Sequence, residues 1–343
     1  MSIKEIARMA KVSIGTVDRV INNRGRVALE TKQKVLKIAK EINYKPNIYA
    51  RNLSLAREFT FGILIPKLSQ DCNYWKLHKR GIDKAVDELK IHKIKAKLYY
   101  FSRYSETSLE SAFKKMIKDL PDGMIVAPVL ENKAKELLTN LNKEIPYLFI
   151  DTEIPALSNF TCISQDSYRS GVLAAKLMSM VMKEKGSIAI VKVMPGDFHI
   201  NERIKGFESF LGEKKIKTKN YEVESNNPAD FENVTRTLLN ETNNLSGVFV
   251  SNVWVHALAK SIKKFSPSKK IFVIGYDLVD ENIRQLNNNG IDFIISQRPE
   301  LQGYDGIYAL YKKMVLKEKV PKKIPIPIDI ITKENSNYYY DEI

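Results

Sequence analysis

The stretch "IKEIARMAKVSIGTVDRVIN" (residues 3–22) decides how the chain begins to fold. Ile3, Ile6, Ala7 and Ala10 recur at i, i+3, i+4 and i+7, the spacing of one buried helix face. "KVS" then makes a tight connection, and Ser13 is suited to cap a second helix that starts at Ile14. On that helix Val17, Val20 and Ile21 share a buried stripe, while Ile14, Gly15, Asp18, Arg19 and Asn22 share the opposite one. Working outward, "LETKQKVLKIAKEI" (29–42) predicts a third helix with Val35, Leu36, Ala39 and Ile42 turned inward. Two short helices joined by a three-residue turn and braced by a third form a helix-turn-helix. Pro46 stops the third helix. Asn47 can cap one more short helix, with Ala50 and Leu53 on one side, too short to hold in water unless docked.

Charge separates this head from the rest. Residues 1–58 hold seven Lys and six Arg against five acids, a net +8, whereas the other 285 of the 343 residues carry only +7 of the total +15. A small basic head on a nearly balanced body suggests a polyanion-binding module attached to something else. Cys72 and Cys162 lie far apart without a partner motif, which fits a reducing compartment. No apolar run approaches the roughly 20 residues needed to cross a bilayer, and the N-terminus lacks the apolar core of a signal peptide. A cytoplasmic protein without a membrane partner is therefore expected. No Walker A loop, HExxH, GxSxG, Cys–His metal spacing or Gly-rich dinucleotide turn occurs, so neither catalysis, cofactor nor metal is expected.

From Phe59 the rhythm changes. "FTFGILIP" (59–66), "IKAKLYYF" (94–101), "GMIVAP" (123–128), "IPYLFID" (145–151), "SIAIVKV" (187–193), "GVFVSN" (247–252), "IFVIGYD" (271–277) and "DFIISQR" (292–298) read as strands. Helical patterns at 74–89, 107–119, 167–184, 201–213, 229–241 and 254–265 lie between them. Such alternation predicts parallel sheets covered on both faces, and the strand count suggests two lobes. Ligands in such folds bind beyond the carboxyl ends of strands, where Asp151, Asn252, Asp277 and Gln297 collect.

The head, through "IARMAKVS", "TVxRVINN", "RVxxxTxxKV" and "NYxPNxxAxxL" at their spacing, resembles the lactose-repressor (LacI) family of bacterial transcription regulators. The body resembles that family's effector domain, itself similar to periplasmic sugar-binding proteins, most clearly in "ISQDSYRSGVLAA" (163–175), "RIKGF" (203–207), "VIGYD" (273–277) and "SQRPELQGYDGI" (296–307). The fold implied is an all-α helix-turn-helix head with an α/β body of two doubly wound parallel-sheet lobes. The head spans 1–45 and a hinge helix and linker 46–58. The effector-binding body spans 59–343, with one lobe at about 59–163 and 293–320 and the other at about 164–292 and 321–343.

The resemblance further implies a homodimer on a palindromic double-stranded operator, with second helices in successive major grooves and hinge helices paired in the minor groove. Leu53 would be the wedge there and Ala50 would permit close approach. Thr16, Arg19, Asn22, Arg26, Thr31 and Asn47 match family positions that contact DNA, Arg19 as a reader of guanine. Ile14 and Gly15 depart from members with longer readers; Gly15 could let the backbone come close. Asp18 can accept from cytosine N4 or merely orient its neighbours.

Ligand contacts carry over to Tyr74 or Trp75, Asp151, Arg203, Asn252, Asp277 and Gln297, with Gln165 and Asp166 at a nearby lobe crossing. Sugar chemistry suits these residues: Tyr74, Trp75 and Trp254 offer aromatic faces, and Asp, Arg, Asn and Gln pair with hydroxyls. Plainer readings compete. Trp75 could be core, Arg203 a surface ion pair, and Asp277 a cap for a helix at 280–287. His199 and His256 are isolated and given no role. The body alone also fits a sugar-binding protein without regulatory function. The tail "KKIPIPIDIITKENSNYYYDEI" (322–343) reads as strand and loop without the leucine heptad of tetrameric members.

Overall fold

The computed structural model describes residues 3–21, 27–42, 44, 57–141, 145–155, 157–183, 186–194, 196–224 and 227–340, in two compact units, 1–57 and 58–343. In the first unit, α1 (Ile3–Ala10), α2 (Ile14–Ile21) and α3 (Leu29–Glu41) pack around Ile6, Ala7, Ala10, Val17, Val20, Val35, Ile38 and Ala39. Lys11 turns the chain with a φ of 55°. The Ser13 hydroxyl then caps α2 by accepting the Thr16 N–H at 3.1 Å, a contact worth about 1 kcal/mol. The buried face of α3 differs from expectation: Ile38 is inside and Leu36 is 45% exposed. Val35, Ile38 and Ala39 form the i, i+3, i+4 row, and Leu36 lies about 100° round from Val35. Asn22, Arg26, Asn47, Ala50 and Leu53 lie outside the described residues, as does the expected hinge except for its last two positions.

The second unit begins with β1 (Phe59–Pro66), α4 (Tyr74–Glu88), β2 (Ile94–Phe101), α5 (Glu106–Lys118), β3 (Gly123–Val126), α6 (Glu131–Thr139), β4 (Tyr147–Ile150) and β5 (Thr161–Gln165). It continues with α7 (Ser167–Met182), β6 (Ser187–Val193), α8 (Phe198–Glu213), β7 (Lys217–Val223), α9 (Pro228–Glu241), β8 (Leu245–Val250), α10 (Val255–Phe265), β9 (Phe272–Tyr276), α11 (Asp280–Asn287) and β10 (Phe293–Ser296). It ends with α12 (Pro299–Leu310), β11 (Lys323–Ile326), β12 (Asp329–Ile331) and α13 (Asn337–Tyr340).

The first lobe's sheet has the order β11-β5-β4-β3-β1-β2, all parallel. The second lobe's order is β12-β10-β9-β8-β6-β7, parallel except for β12 against β10. Central strands such as β3 and β4 are buried at every position. That is why they read as unbroken apolar runs.

The chain passes between the lobes after β5, β10 and β11. Two of these passages differ from the sequence reading. Phe293–Ser296 stays with the second lobe because it pairs with β9, and Lys323–Ile326 returns to the first because it pairs with β5. Gln165 ties the three passages together: its Nε2 donates to the Ser296 carbonyl at 2.9 Å and the Pro327 carbonyl at 3.0 Å.

One helix pair in each lobe touches backbone to backbone. A Cβ at Gly81 of α4 would stand 1.8 Å from the Glu300 carbonyl oxygen, and one at Gly303 of α12 2.2 Å from that of His78. In the second lobe, a Cβ at Gly171 of α7 would stand 1.9 Å from the Arg203 oxygen, and one at Gly206 of α8 2.0 Å from that of Tyr168. No side chain fits at these four positions without moving a helix. Three of these glycines, Gly171, Gly206 and Gly303, sit in the very segments "RSGVLAA", "RIKGF" and "ELQGYDGI" that stand out in the sequence.

Candidate functional site

The site forms where strand ends of both lobes face each other. Asp151 follows β4 and Asp277 follows β9, and both take a left-handed φ, 70° and 72°. Short polar side chains tolerate that conformation best after glycine. Asp151 accepts the Tyr74 hydroxyl at 2.6 Å. Beside it, Trp75 Nε1 donates to Asp71 at 2.8 Å, and its ring stacks on His78 at 4.9 Å. Three successive left-handed residues, Asp71, Cys72 and Asn73, wind the chain into α4 and set these groups in place.

From the second lobe, Arg203 on α8 is wholly buried, with its guanidinium 3.9 Å from the Tyr276 ring centroid. It donates to the Ser251 carbonyl at 2.9 Å and to the Gln297 side-chain oxygen. Gln297 Nε2 in turn donates to both Asp277 oxygens at 3.0 and 3.1 Å. Asn252 accepts the Trp254 N–H at 3.1 Å, leaving its amide group for the cleft. Arg103 joins the lobes: it donates to Asp71 of the first at 2.7 Å and to Asp197 of the second. Cys72 Sγ meets His256 Nε2 across the same gap at 3.8 Å. The space enclosed by this cluster is about 20 Å³, scarcely more than one water needs.

Burial sets the electrostatics. It pushes the Asp277 carboxyl up to about 7 against the pull of Arg203 and the Gln297 amide. It lifts Asp197 to about 6 despite Arg103. Burial, followed by the charge of Arg203, lowers the His199 ring to about 3, so the ring is neutral. Burial works against Asp151 too, but the His199 and His78 rings as they take a proton at low pH, the Tyr74 hydroxyl and Arg203 hold it below the usual carboxylate range. Among the described residues no group of three or more His, Cys, Asp or Glu could hold a metal ion.

Tyr74, Trp75, Asp151, Arg203, Asn252, Asp277 and Gln297 all line this space. Trp254 does not: its ring stacks on Phe231 at 5.1 Å within the second lobe's core. Arg203 is no surface ion pair, and the cap position of α11 is Val279 rather than Asp277. Asp71, Arg103, Asp197 and His199 line the site as well and were missed. Arg103 lies two residues past β2 and Asp197 four past β6, so the strand-end rule, applied to every strand, would have found them.

Arg103→Ala would strand two buried carboxylates, which costs a closed cleft about 3–5 kcal/mol. Expected is a larger radius of gyration by small-angle scattering without ligand; an unchanged curve would refute the cross-lobe role.

On the head, Ile14, Gly15 and Arg19 are exposed on α2, while Thr16 and Asp18 are half-buried. After burial, Asp18 is the group that raises the Tyr44 phenol. Thr31 is half-buried in the first turn of α3.

Residues 61–319 match the periplasmic binding protein domain, and residues 2–47 match bacterial regulatory proteins of the lacI family. The chain is 25% identical to the ribose operon repressor of Lactococcus lactis subsp. lactis over 341 residues, 97% of each chain. It is 53% identical to the HTH-type transcriptional regulator RegA of Clostridium acetobutylicum over 68 residues, 20% of each chain. A carbohydrate transporter solute binding protein from Agrobacterium radiobacter, in complex with D-arabinose, shares the fold of the body. Its TM-score is 0.72 at 21% identity, covering 84% of this chain and 98% of that one.

A helix-turn-helix head followed by a two-lobed binding body defines a ligand-responsive transcriptional regulator. The chain belongs to the lacI family of bacterial regulatory proteins, with a periplasmic binding protein domain as its body. No helix among the described residues is long and apolar enough to cross a membrane.

Proposed function

We propose that the cleft takes a small sugar or sugar derivative, and that this effector controls how tightly a dimer of the chain holds a palindromic operator. The observation that carries the reading is the convergence of Asp151, Arg203, Asn252, Asp277 and Gln297 on one space from both lobes. The carboxylates accept from neighbouring hydroxyls, the guanidinium donates, and the amides do both, beside the aromatic surface of Tyr74 and Trp75. The printed names of a ribose operon repressor and of a D-arabinose complex among the relatives agree with that chemistry. The protein binds its effector and does not turn it over.

In the same reading, α2 enters a major groove, presenting Ser13, Ile14, Gly15, Thr16, Asp18 and Arg19, with Thr31 on the phosphates. Asn22, Arg26, Asn47, Ala50 and Leu53 extend the contact, the last three in the minor groove. Effector binding shifts lobe closure. Closure sets the separation of the two hinge segments, 46–58, which then fold into the groove or leave it. A hundredfold change in occupancy needs a difference of only about 2.7 kcal/mol between the two states.

Thermal shifts with D-ribose, D-arabinose, D-glucose and D-galactose, paired with operator anisotropy, test the whole. The expected result is one sugar that raises the melting temperature and changes operator affinity. Stabilisation by none of them, nor by larger sugars, would remove the effector class.

Gly15 offers a local test. A Cβ there meets nothing nearer than the Ser13 hydroxyl at 3.8 Å, so the head itself has room for alanine. Gly15→Ala is expected to stabilise the head by up to about 1 kcal/mol and yet to weaken operator binding. Undiminished affinity would show that the bare backbone is not needed against DNA.

A further inference from the structure

Beside the central cluster, toward the lobe crossings, lies a second chamber. Its volume is about 320 Å³, at the low end of the roughly 300–1,000 Å³ usual for small-molecule sites; the central space holds about 20 Å³. The two spaces share Asp151 and His199, so a ligand that parts the lobes enough to fill the central space would lie against both.

The chamber is built for a hydroxylated group. Thr152 and His199 are among its lining residues, and each carries a buried polar atom, Oγ1 and Nδ1, with no hydrogen-bond partner among the described residues. Buried polar atoms normally find a partner; both are covered by protein atoms, so a ligand in this chamber would supply it only by displacing that cover. Ser164 adds a hydroxyl from β5, and Tyr168 and Phe198 bring aromatic rings from the other lobe. Polar groups on one wall and rings on the other match the two kinds of surface a sugar presents.

The lining is also acidic. Asp151, Glu153, Asp166 and Glu202 line it beside one lining cation, Lys323, which pairs with Glu153 at 2.7 Å, while Asp166 and Glu202 pair with Arg169 at 3.4 Å and Lys205 at 2.6 Å outside the lining, so no lining cation is left for an anion. Such a wall disfavours a phosphate or carboxylate substituent.

We infer that the effector is an uncharged sugar of two linked units, the first held by Asp151, Arg203 and Asp277 and the second in the chamber bounded by Thr152, Ser164, Tyr168 and Phe198. This rests on the sugar reading above, and the test separates the two. Calorimetric titration of the full chain would compare D-glucose and D-galactose with maltose, cellobiose, lactose and melibiose, and with glucose 6-phosphate. Expected is a disaccharide bound at least tenfold more tightly than either of its units, with the phosphate no tighter than glucose. Thr152→Val and, independently, Ser164→Trp should bring that ratio toward one, with the melting temperature confirming that each variant folds.

If single sugars bind and no disaccharide improves on them, the chamber is not a subsite while the sugar reading stands. If no sugar binds at all, both fall. A tenfold gain that survives both substitutions, or tighter binding of the phosphate, overturns the placement of the second unit.

Discussion

Asp277→Asn is expected to stabilise the body at pH 8 and at the same time to abolish its response to effector. The sign follows from the raised carboxyl. A group taken from an ordinary 3.8 to about 7 in the folded protein binds its proton more tightly folded than unfolded. Its contribution is therefore full below 3.8 and lost as pH rises through about 7. At pH 8 the buried charge costs on the order of a few kcal/mol, and asparagine, neutral and nearly isosteric, removes that cost. Melting should rise by roughly 5–10 °C at pH 8, and the part of the pH dependence owed to this residue should flatten.

Effector binding should move the other way. The side-chain oxygen of the substituted amide would still accept from Gln297, but its NH₂ group would donate where, on the proposed reading, a carboxylate oxygen accepts sugar hydroxyls. A loss of 100-fold or more, about 2.7 kcal/mol, is expected by calorimetry, with operator affinity kept but no longer responsive. A variant that binds the same effector as tightly as the parent chain would remove Asp277 from the site.

The second large effect belongs to Arg19. It is exposed on α2 and outside the head's core, so Arg19→Ala leaves the three-helix packing alone. A bidentate arginine–guanine pair discriminates by about 1–3 kcal/mol. In the proposed dimer two such pairs would give roughly 2–6 kcal/mol, or about 30-fold to more than 10,000-fold in operator affinity. Binding to unrelated duplex, driven by the remaining basic residues, should fall far less at the same salt, and the effector constant should not move. Anisotropy on operator and scrambled duplexes measures all of this. Equal operator affinity for variant and parent would discard Arg19 as a base reader.

Much of the fold was legible because burial writes itself into the chain. Fully covered strands such as "GMIV" and "YLFI" stand out as apolar runs, and Asp151 and Asp277 could be found as the acids that end them. Edges wrote less. In "KTKNYEV" (217–223), five of seven side chains are exposed, because β7 ends its sheet and faces solvent, and no strand was expected there. Arg103 and Asp197 each follow a strand end and so are within reach of the strand-end rule, but their pairing, with Asp71, stays hidden because it spans two lobes that no local pattern brings together. Trp254 misled for a related reason: it follows Asn252 closely, but the chain turns there and sends the ring onto Phe231. Leu36 reads as an inward residue by its hydrophobicity, although the helical row through Val35 excludes it.

The four interlocked glycines have a mechanical consequence. Where two helices meet with no side chains between them, neither can slide or tilt without collision, so each such pair is held as one stiff layer of its lobe. A layer that does not bend passes the whole of any rotation to its pivot. On the proposed reading, work done by a molecule drawn into the jaws would pass through the three thin ribbons held by Gln165 rather than being lost between those helices.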